Sequence, residues 1–462
     1  MFSPLFRCVP RSWRRQMFIV NTQTYNVIQL AIGFFLIFSA FNSSSFIEET
    51  VISSVADQGG KVTKHSGYIS LAIVYGFFTF CNFLAAPVTL FLGARWSLVL
   101  GGITYTLFQV GFLFLNTPFL YISSALLGFG AAVIWTAQGN YLTLNSTEET
   151  AAKHSGIFWA ISQACLSCGG LFLFFVFNTE SETISQSTMH IIYGVFTAVS
   201  IAGTVLLALL RMPSNVDDTT EISPSLPPPT QEAPLTQLEL LKSTLQLCKT
   251  KRMLLLIVAF MYTGLQLSFW SGIYPSCIAF TKQLASNTKP IVALNAITQG
   301  LGQATGGFLF GLLSSKTSVL GRDKIVMLGT TINMVVFAGI YLNFPQSAPL
   351  HSNNDVGIIR PQAWLALICG YLLGFADACW NTQIFTFLIS NYPKQSAQAF
   401  SLFKFWQSLL TCFAFFYGTV FNLNIQLLML VVGSLVGCIC FKFAEQLSSS
   451  ETSLTRTDVH TD

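Results

Sequence analysis

Apolar runs of about 20 residues or more recur along nearly the whole chain, each long enough to carry a helix through the roughly 30 Å hydrocarbon core of a bilayer. They can be read at 24–46, 67–91, 96–115, 117–143, 154–177, 189–211, 253–280, 290–315, 324–343, 362–391, 396–420 and 424–444. In hydrocarbon every backbone N–H and C=O must find its partner inside the protein, so runs of this length fold as helices. With 52% hydrophobic residues, 43 Phe and only 9% charged residues, no soluble class fits the composition. The expected fold class is an all-α polytopic membrane protein with twelve transmembrane helices. Merging the closely spaced third and fourth runs, or splitting 290–315 at its glycines, would change that count.

Orientation is read from Lys and Arg, which accumulate on the cytoplasmic side. With the N-terminus inside, seventeen of the 23 basic residues fall on the inner side, among them Arg7, Arg95, Lys249, Arg322 and Lys394. Five, including Lys61, Lys64 and Arg360, fall outside, and Lys404 is embedded. Both termini are therefore expected in the cytoplasm. The net charge of +4 is a topology bias and implies a lipid bilayer, with no nucleic acid as a partner. The first apolar run follows a basic, aromatic leader and reads as a retained span, with no cleavable signal peptide in evidence.

The chain divides near its middle. Residues 212–252 hold Pro213, Pro224, Pro227, Pro228, Pro229 and Pro234 among Asp217, Asp218, Glu221, Glu232 and Glu239, a composition that predicts a flexible cytoplasmic linker. The expected units are a tail at 1–23, a six-helix half at 24–211, the linker, a second six-helix half at 253–446 and a tail at 447–462. Internal similarity supports duplication. Leu126-Leu127-Gly128-Phe129 with Trp135 and Gln138 resembles Leu372-Leu373-Gly374-Phe375 with Trp380 and Gln383, given a one-residue gap. Gly156-Ile157-Phe158-Trp159 likewise echoes Phe403-Lys404-Phe405-Trp406.

The runs Ile134-Trp135-Thr136-Ala137-Gln138-Gly139-Asn140 and Gly374-Phe375-Ala376-Asp377 with Asn381-Thr382-Gln383 resemble the uncoordinated-93 family of the major facilitator superfamily. So do Ser155-Gly156-Ile157-Phe158-Trp159 and Phe403-Lys404-Phe405. The resemblance covers nearly all the spans and leaves out the linker and tails. It implies the major facilitator fold, in which spans one, four, seven and ten line a central cavity. It also implies two kinds of activity, since the family includes a potassium-channel regulatory subunit and a trafficking chaperone for innate immune receptors beside transporter-like members. Major facilitators often carry a charged glycine loop that latches the halves. Here the first such loop keeps only Gly93, Ala94, Arg95 and Trp96. The second has Gly311, Lys316, Gly321, Arg322, Asp323 and Lys324 at altered spacing. Arg95, Arg322, Asp323 and Lys324 are the gating-loop candidates, in a weakened latch.

Asp377 and Lys404 are the only acid and base in the interior of the apolar runs, since Arg211, Lys324 and Lys442 sit at or near run ends on the cytoplasmic side. A charge at bilayer depth costs on the order of 2–3 kcal/mol even on permissive scales, so it faces a cavity or a partner. Three readings stand: a static buried pair or amide-bonded groups holding the fold together; Asp377 as a proton or cation site in a cavity; and Lys404 snorkelling toward the cytoplasm. Thr136, Gln138, Asn140, Ser162, Gln163, Gln266, Asn381 and Gln383 form a polar set that either contacts a solute or makes interhelical hydrogen bonds. Trp135, Trp270 and Trp380 read as packing residues, Gly302, Gly306, Gly307 and Gly311 as close helix contacts, and Pro87 and Pro275 as kinks. Of two sequons, Asn42-Ser43-Ser44 is the glycosylation candidate and Asn145-Ser146-Thr147 is on the cytoplasmic side. The outer loop 43–66 reads as solvated surface. Cys165-x-x-Cys168 lies in an apolar run and the histidines lie at span ends or in loops and tails, so no metal or cofactor is expected. Without a Walker loop or a catalytic trio, neither an ATP-driven pump nor an enzyme is expected. What remains is a secondary transporter of a small solute, with cation or proton coupling, or a non-transporting accessory protein acting on a channel or receptor.

Overall fold

The computed structural model describes residues 21–57, 61–62, 66–177, 186–212, 237–312, 321–418 and 420–459. The described chain is helical almost throughout. The N-terminal group comprises α1 (Thr22–Asp57), α2 (Ser66–Gly111), α3 (Thr117–Leu144), α4 (Ala151–Phe177) and α5 (Gln186–Ala208). The C-terminal group follows as α6 (Gln237–Cys248), α7 (Lys251–Ser268), α8 (Tyr274–Phe280), α9 (Lys289–Leu312), α10 (Arg322–Asn343), α11 (Ala363–Asn391), α12 (Ser396–Gly418) and α13 (Leu423–Val459). Among the described residues ten helices are long and apolar enough to cross a membrane. The fold is thus that of a multi-pass membrane protein, with ten such helices where the sequence predicts twelve spans.

Two local features account for that difference. The runs 67–91 and 96–115 are continuous in the 46-residue α2, whose helical geometry breaks only at Gly93 (φ 76°, ψ 158°). The described part of the run 290–315 folds within α9, but Asn295, Gln299 and Gln303 make it too polar to rank with the others. Gly93 has a counterpart in Gly321 (φ 91°, ψ 143°) at the start of α10. The same rare backbone shape therefore sits at both loops read as gating loops, and only glycine adopts it freely.

Other boundaries differ from the sequence reading. Residues 43–57, expected in an outer loop, extend α1 because no Gly or Pro interrupts the helix before Gly59. Within the segment expected as a linker, 237–248 forms the amphipathic α6, with Leu240, Thr244 and Leu247 buried at i, i+4 and i+7. The rest of that linker from 213 to 236, the tail up to residue 20, and the loop 313–320 with Lys316 lie outside the described residues. Pro275 does not end its span. It lacks the N–H for a helical bond, and the backbone answers with a π turn at Phe269–Ile273, where the Tyr274 N–H reaches Phe269 O.

The two groups meet along two seams. On one, α4 and α9 pack backbone to backbone: Gly156 lies against Gly307 and Gly311, Gly307 against Ala160, and Gly300 against Ser167. The other face of α9 uses Gly302 and Gly306 to admit α11 at Tyr371, Phe375 and Ala378. The glycine pattern of α9 thus serves two neighbours, as the sequence reading of close helix contacts predicts. On the second seam α2 meets α12 through Phe83 and Phe405 (4.3 Å between ring centres), Tyr75 and Phe415, and an Asn82 to Ser408 hydrogen bond.

Gly93→Ala and Gly321→Ala are each expected to lower stability by about 1–3 kcal/mol, the cost of forcing a side chain into this backbone region. Gly76→Ala, in a helical stretch with open space around it, should be neutral or gain up to about 1 kcal/mol. Thermal unfolding of the detergent-purified variants checks the contrast.

Candidate functional site

A cavity of about 430 Å³ lies between the two groups of helices. Its walls are chemically unequal. The N-terminal group contributes mainly rings, including Phe34, Phe38, Tyr75, Phe78, Tyr105 and Trp135, while the C-terminal group contributes Asn295, Gln299, Asp377, Asn381, Lys404 and Gln407. The lining residues occupy the part of each helix away from the chain termini. Toward the terminus side the groups close on each other. Ser396 donates to Asn140 Oδ1 across the interface (2.6 Å). The Phe400 ring lies directly on Gly139, and Phe385 stacks among Phe158, Trp159 and Phe400.

Asp377 is 2% exposed, and its carboxylate collects three side-chain N–H groups. Oδ1 accepts from Trp270 Nε1 (3.2 Å) and Asn381 Nδ2 (3.0 Å), and Oδ2 accepts from Gln303 Nε2 (3.1 Å). Each donor has a structural cause. The π turn after α7 carries Trp270, Gln303 projects from α9, and Asn381 lies one turn along α11. Lys404, 5% exposed, has a different setting. Its Nζ donates to Gln407 Oε1 (2.9 Å), and Gln407 is held in turn by donating to Thr263 Oγ1 (3.2 Å). The ammonium lies 4.5 Å from the ring centre of Trp135, 4.6 Å from that of Phe403 and 5.7 Å from that of Phe385, distances at which ring faces attract a cation. Among the described residues no ion pair within 4 Å joins Asp377 to Lys404.

The remaining sequence candidates separate. Gln163 and Asn381 line the cavity. Thr136, Gln138, Gln266 and Gln383 are buried away from it, and Asn140 belongs to the closed side. Their helices do reach the cavity, but the rotation of each helix, which sequence spacing alone does not set, turns these side chains toward packed neighbours. Asn42 is not on an exposed turn: it sits within α1, lines the cavity and donates to Cys165 Sγ (3.3 Å). Trp135 and Trp270, read as packing residues, are instead the ring over Lys404 and a donor to Asp377. The sequence reading missed Asn295, Gln299, Gln303 and Gln407. Their i, i+4, i+8 spacing on α9 was a signal available in the sequence for the first three.

Of the gating-loop candidates, Arg95 and Arg322 bond within their own group. Arg95 donates to Leu210 O (3.4 Å) and covers Trp96. Arg322 pairs with Glu445 of α13 (2.8 Å) and lies over the Phe387 ring. Asp323 stands beside Gly321 in the first turn of α10, with Lys324 next to it.

Comparison with known proteins places this geometry. The family model described as ion channel regulatory protein UNC-93 matches residues 58–442. The "UNC93-like protein MFSD11" of Xenopus tropicalis is 39% identical over 431 residues, covering 91% of this chain and 95% of that protein. The "UNC93-like protein 3" of Arabidopsis thaliana is 27% identical over 88% of this chain and 83% of its own. Among solved structures, the major facilitator superfamily transporter FucP, in the outward conformation, superposes with a TM-score of 0.63 at 14% identity. That match covers 92% of this chain and 99% of FucP, and at such identity it shows the fold alone.

Asp377→Ala leaves three buried N–H groups without their acceptor and is expected to cost roughly 1–3 kcal/mol. Asp377→Asn keeps an acceptor oxygen and should cost less than half of that. Thermal unfolding of the two purified variants beside the parent measures the difference.

Proposed function

The chain belongs to the UNC-93 family, and from that premise we propose that it is a secondary transporter of a small solute, coupled to a proton or another cation at Asp377. What carries the reading is one observation: an acid and a base stand unpaired with each other in a cavity between two groups of helices that close on each other on the terminus side. A direct ion pair is therefore not what offsets the cost of these buried charges, and each is met by side-chain amides instead. The two groups are read as six-helix halves, 24–211 and 253–446. Gly93 divides α2 into two spans and α9 counts as a span, which gives twelve. The excess of Lys and Arg near the terminus side supports both termini in the cytoplasm, with the cavity facing outward. The fold neighbour FucP is titled a fucose:proton symporter in one of its structures, which lends the coupling idea support by analogy of fold.

A second reading has its own observation. The family description names ion channel regulation, and Arg95 and Arg322 bond within their own groups of helices and do not bridge the two. On that reading the protein is an accessory subunit for a channel or receptor, and the cavity is a structural remnant.

Ligand-induced thermal stabilisation of the purified protein, against a library of metabolites and ions at acid and neutral pH, separates the two. Binding to the folded state alone adds about 2.7 kcal/mol at a hundredfold excess over Kd. The transporter reading expects at least one solute whose stabilisation changes with pH, and whose pH dependence is lost in Asp377→Asn. Silence across the library from protein shown to be folded would sink it in favour of the accessory reading.

A further inference from the structure

Resting on the transporter reading, we propose that the solute is a small organic anion, a carboxylate with an apolar body, whose anionic oxygen docks on Lys404 Nζ. The inference comes from counting what each charged group still lacks. An ammonium has three N–H donors. Among the described residues Lys404 gives one to Gln407 Oε1 and meets only ring faces otherwise. Asp377 is in the opposite position, with three N–H donors already on its two oxygens. The cavity therefore has spare donor capacity beside a fixed positive charge. Gln299 adds to it, since its Nε2 is buried and unpaired and the residue lines the same cavity. A cationic solute would meet Lys404 in the same enclosed space and find Asp377 largely satisfied.

The apolar body is read from the opposite wall. Phe34, Phe38, Phe78 and Trp135 face the polar residues across the cavity, so a solute with one charged end and one apolar end satisfies both walls. A volume of about 430 Å³ limits it to a small molecule.

Charge balance then links the anion to a proton. Asp377 and Lys404 together are neutral, so an incoming carboxylate leaves the buried site with one net negative charge. A proton on Asp377 Oδ2 restores neutrality, taken up from solvent and bonded to that oxygen. The Gln303 amide that now donates to Oδ2 has an unpaired Oε1, and rotating the amide presents this acceptor to the new O–H. The titratable groups near Asp377 from the packed helices are Lys404 of α12, the Tyr262 phenol of α7 and, on its own helix, the Cys379 thiol. Tyr75 and Tyr105 share the cavity. Phenols and thiols are neutral near and below neutral pH, and Lys404 already carries its proton as the docking ammonium, which leaves Asp377 as the proton acceptor. Anion affinity accordingly rises as pH falls, by up to about tenfold per pH unit for one proton taken up.

The test uses the full-length purified protein and a panel of carboxylates from acetate to phenylacetate, each beside its neutral amide and the corresponding amine, read by thermal stabilisation at acid and neutral pH. The expected result is stabilisation by the larger carboxylates alone, stronger at acid pH. Lys404→Met should weaken it at least about tenfold, the loss of one charge-assisted hydrogen bond, and Lys404→Arg should retain most of it. Asp377→Asn, which mimics the protonated acid, should bind equally at both pH values. The melting temperature of each variant without ligand shows that it is folded. Stabilisation by amine or amide, or an undiminished response in folded Lys404→Met, would overturn the anion assignment. No response to the whole panel, with another solute found in the library, also overturns it and leaves the transporter reading standing. Silence in both overturns both.

Discussion

A carboxylate at membrane depth must be given hydrogen-bond donors from inside the protein, and the arrangement of the C-terminal helices can be read as the way Asp377 receives them. Its donors come from three separate backbone elements. Trp270 reaches Oδ1 because Pro275 forces the π turn that advances the chain before it. Gln303 reaches Oδ2 because Gly302 and Gly306 let α9 come against α11 at backbone distance. The amides that serve the cavity are also what make α9 the least lipid-like of the long helices, and its two glycine faces bury it between α4 and α11. Its amides are thereby covered by the contacts that bring them to the acid, while Leu301, Phe308 and Leu309 form its exposed apolar stripe.

The same register appears in the N-terminal helices with the chemistry removed. Gly128 of α3 lies on the backbone of Val74 and Phe78 in α2, and Gly374 of α11 lies on the backbone of Gln299 and Gln303 in α9. These two glycines occupy matching places in the Leu-Leu-Gly-Phe repeats at 126–129 and 372–375. Val74 thus corresponds to Gln299, Phe78 to Gln303, and Ala131, three residues after Gly128, to Asp377. Val74, Phe78, Ala131, Gln299 and Asp377 all line the cavity. One copy of a duplicated frame is apolar and aromatic at these positions, and the other is polar and charged. The unequal walls of the cavity follow from this divergence within a shared backbone.

Parts of this were legible in the sequence because they rest on strong one-dimensional signals. Apolar runs give the helices, and a lone acid and a lone base within them give Asp377 and Lys404. The partners of those charges were less legible. Gln138 and Gln266 sit on cavity-reaching helices yet face inward to packed neighbours, because a shift of one residue turns a side chain by 100° around the helix. Trp135 and Trp270 were set aside because a tryptophan in an apolar run carries no mark of what its ring or N–H will meet. The π turn that aims Trp270 was foreshadowed by Pro275 only as a kink. Leu240, Thr244 and Leu247 carried a helical period for α6, masked by the prolines and acids preceding it.

The way the two groups close sets how firmly the observed state is held. Neither described arginine of the two glycine loops spans the interface: Arg95 is taken up by Leu210 O, and Arg322 by Glu445. On the terminus side the groups are joined instead by the Asn140–Ser396 hydrogen bond, the Phe400 ring on Gly139 and the cluster around Phe385. A single hydrogen bond contributes only about 0.5–1.5 kcal/mol net. In a membrane, side-chain hydrogen bonds between helices average nearer 0.6 kcal/mol. The α4–α9 seam opposes little to sliding, since glycine against backbone presents few interlocking side chains. The rings around Phe385 are the most extensive side-chain packing described on that side. They are neighbours of Lys404, whose ammonium lies over Phe385 and Phe403. Lys404 thus stands between the two features, with its ammonium in the cavity and its ring neighbours among the aromatics that close the terminus side.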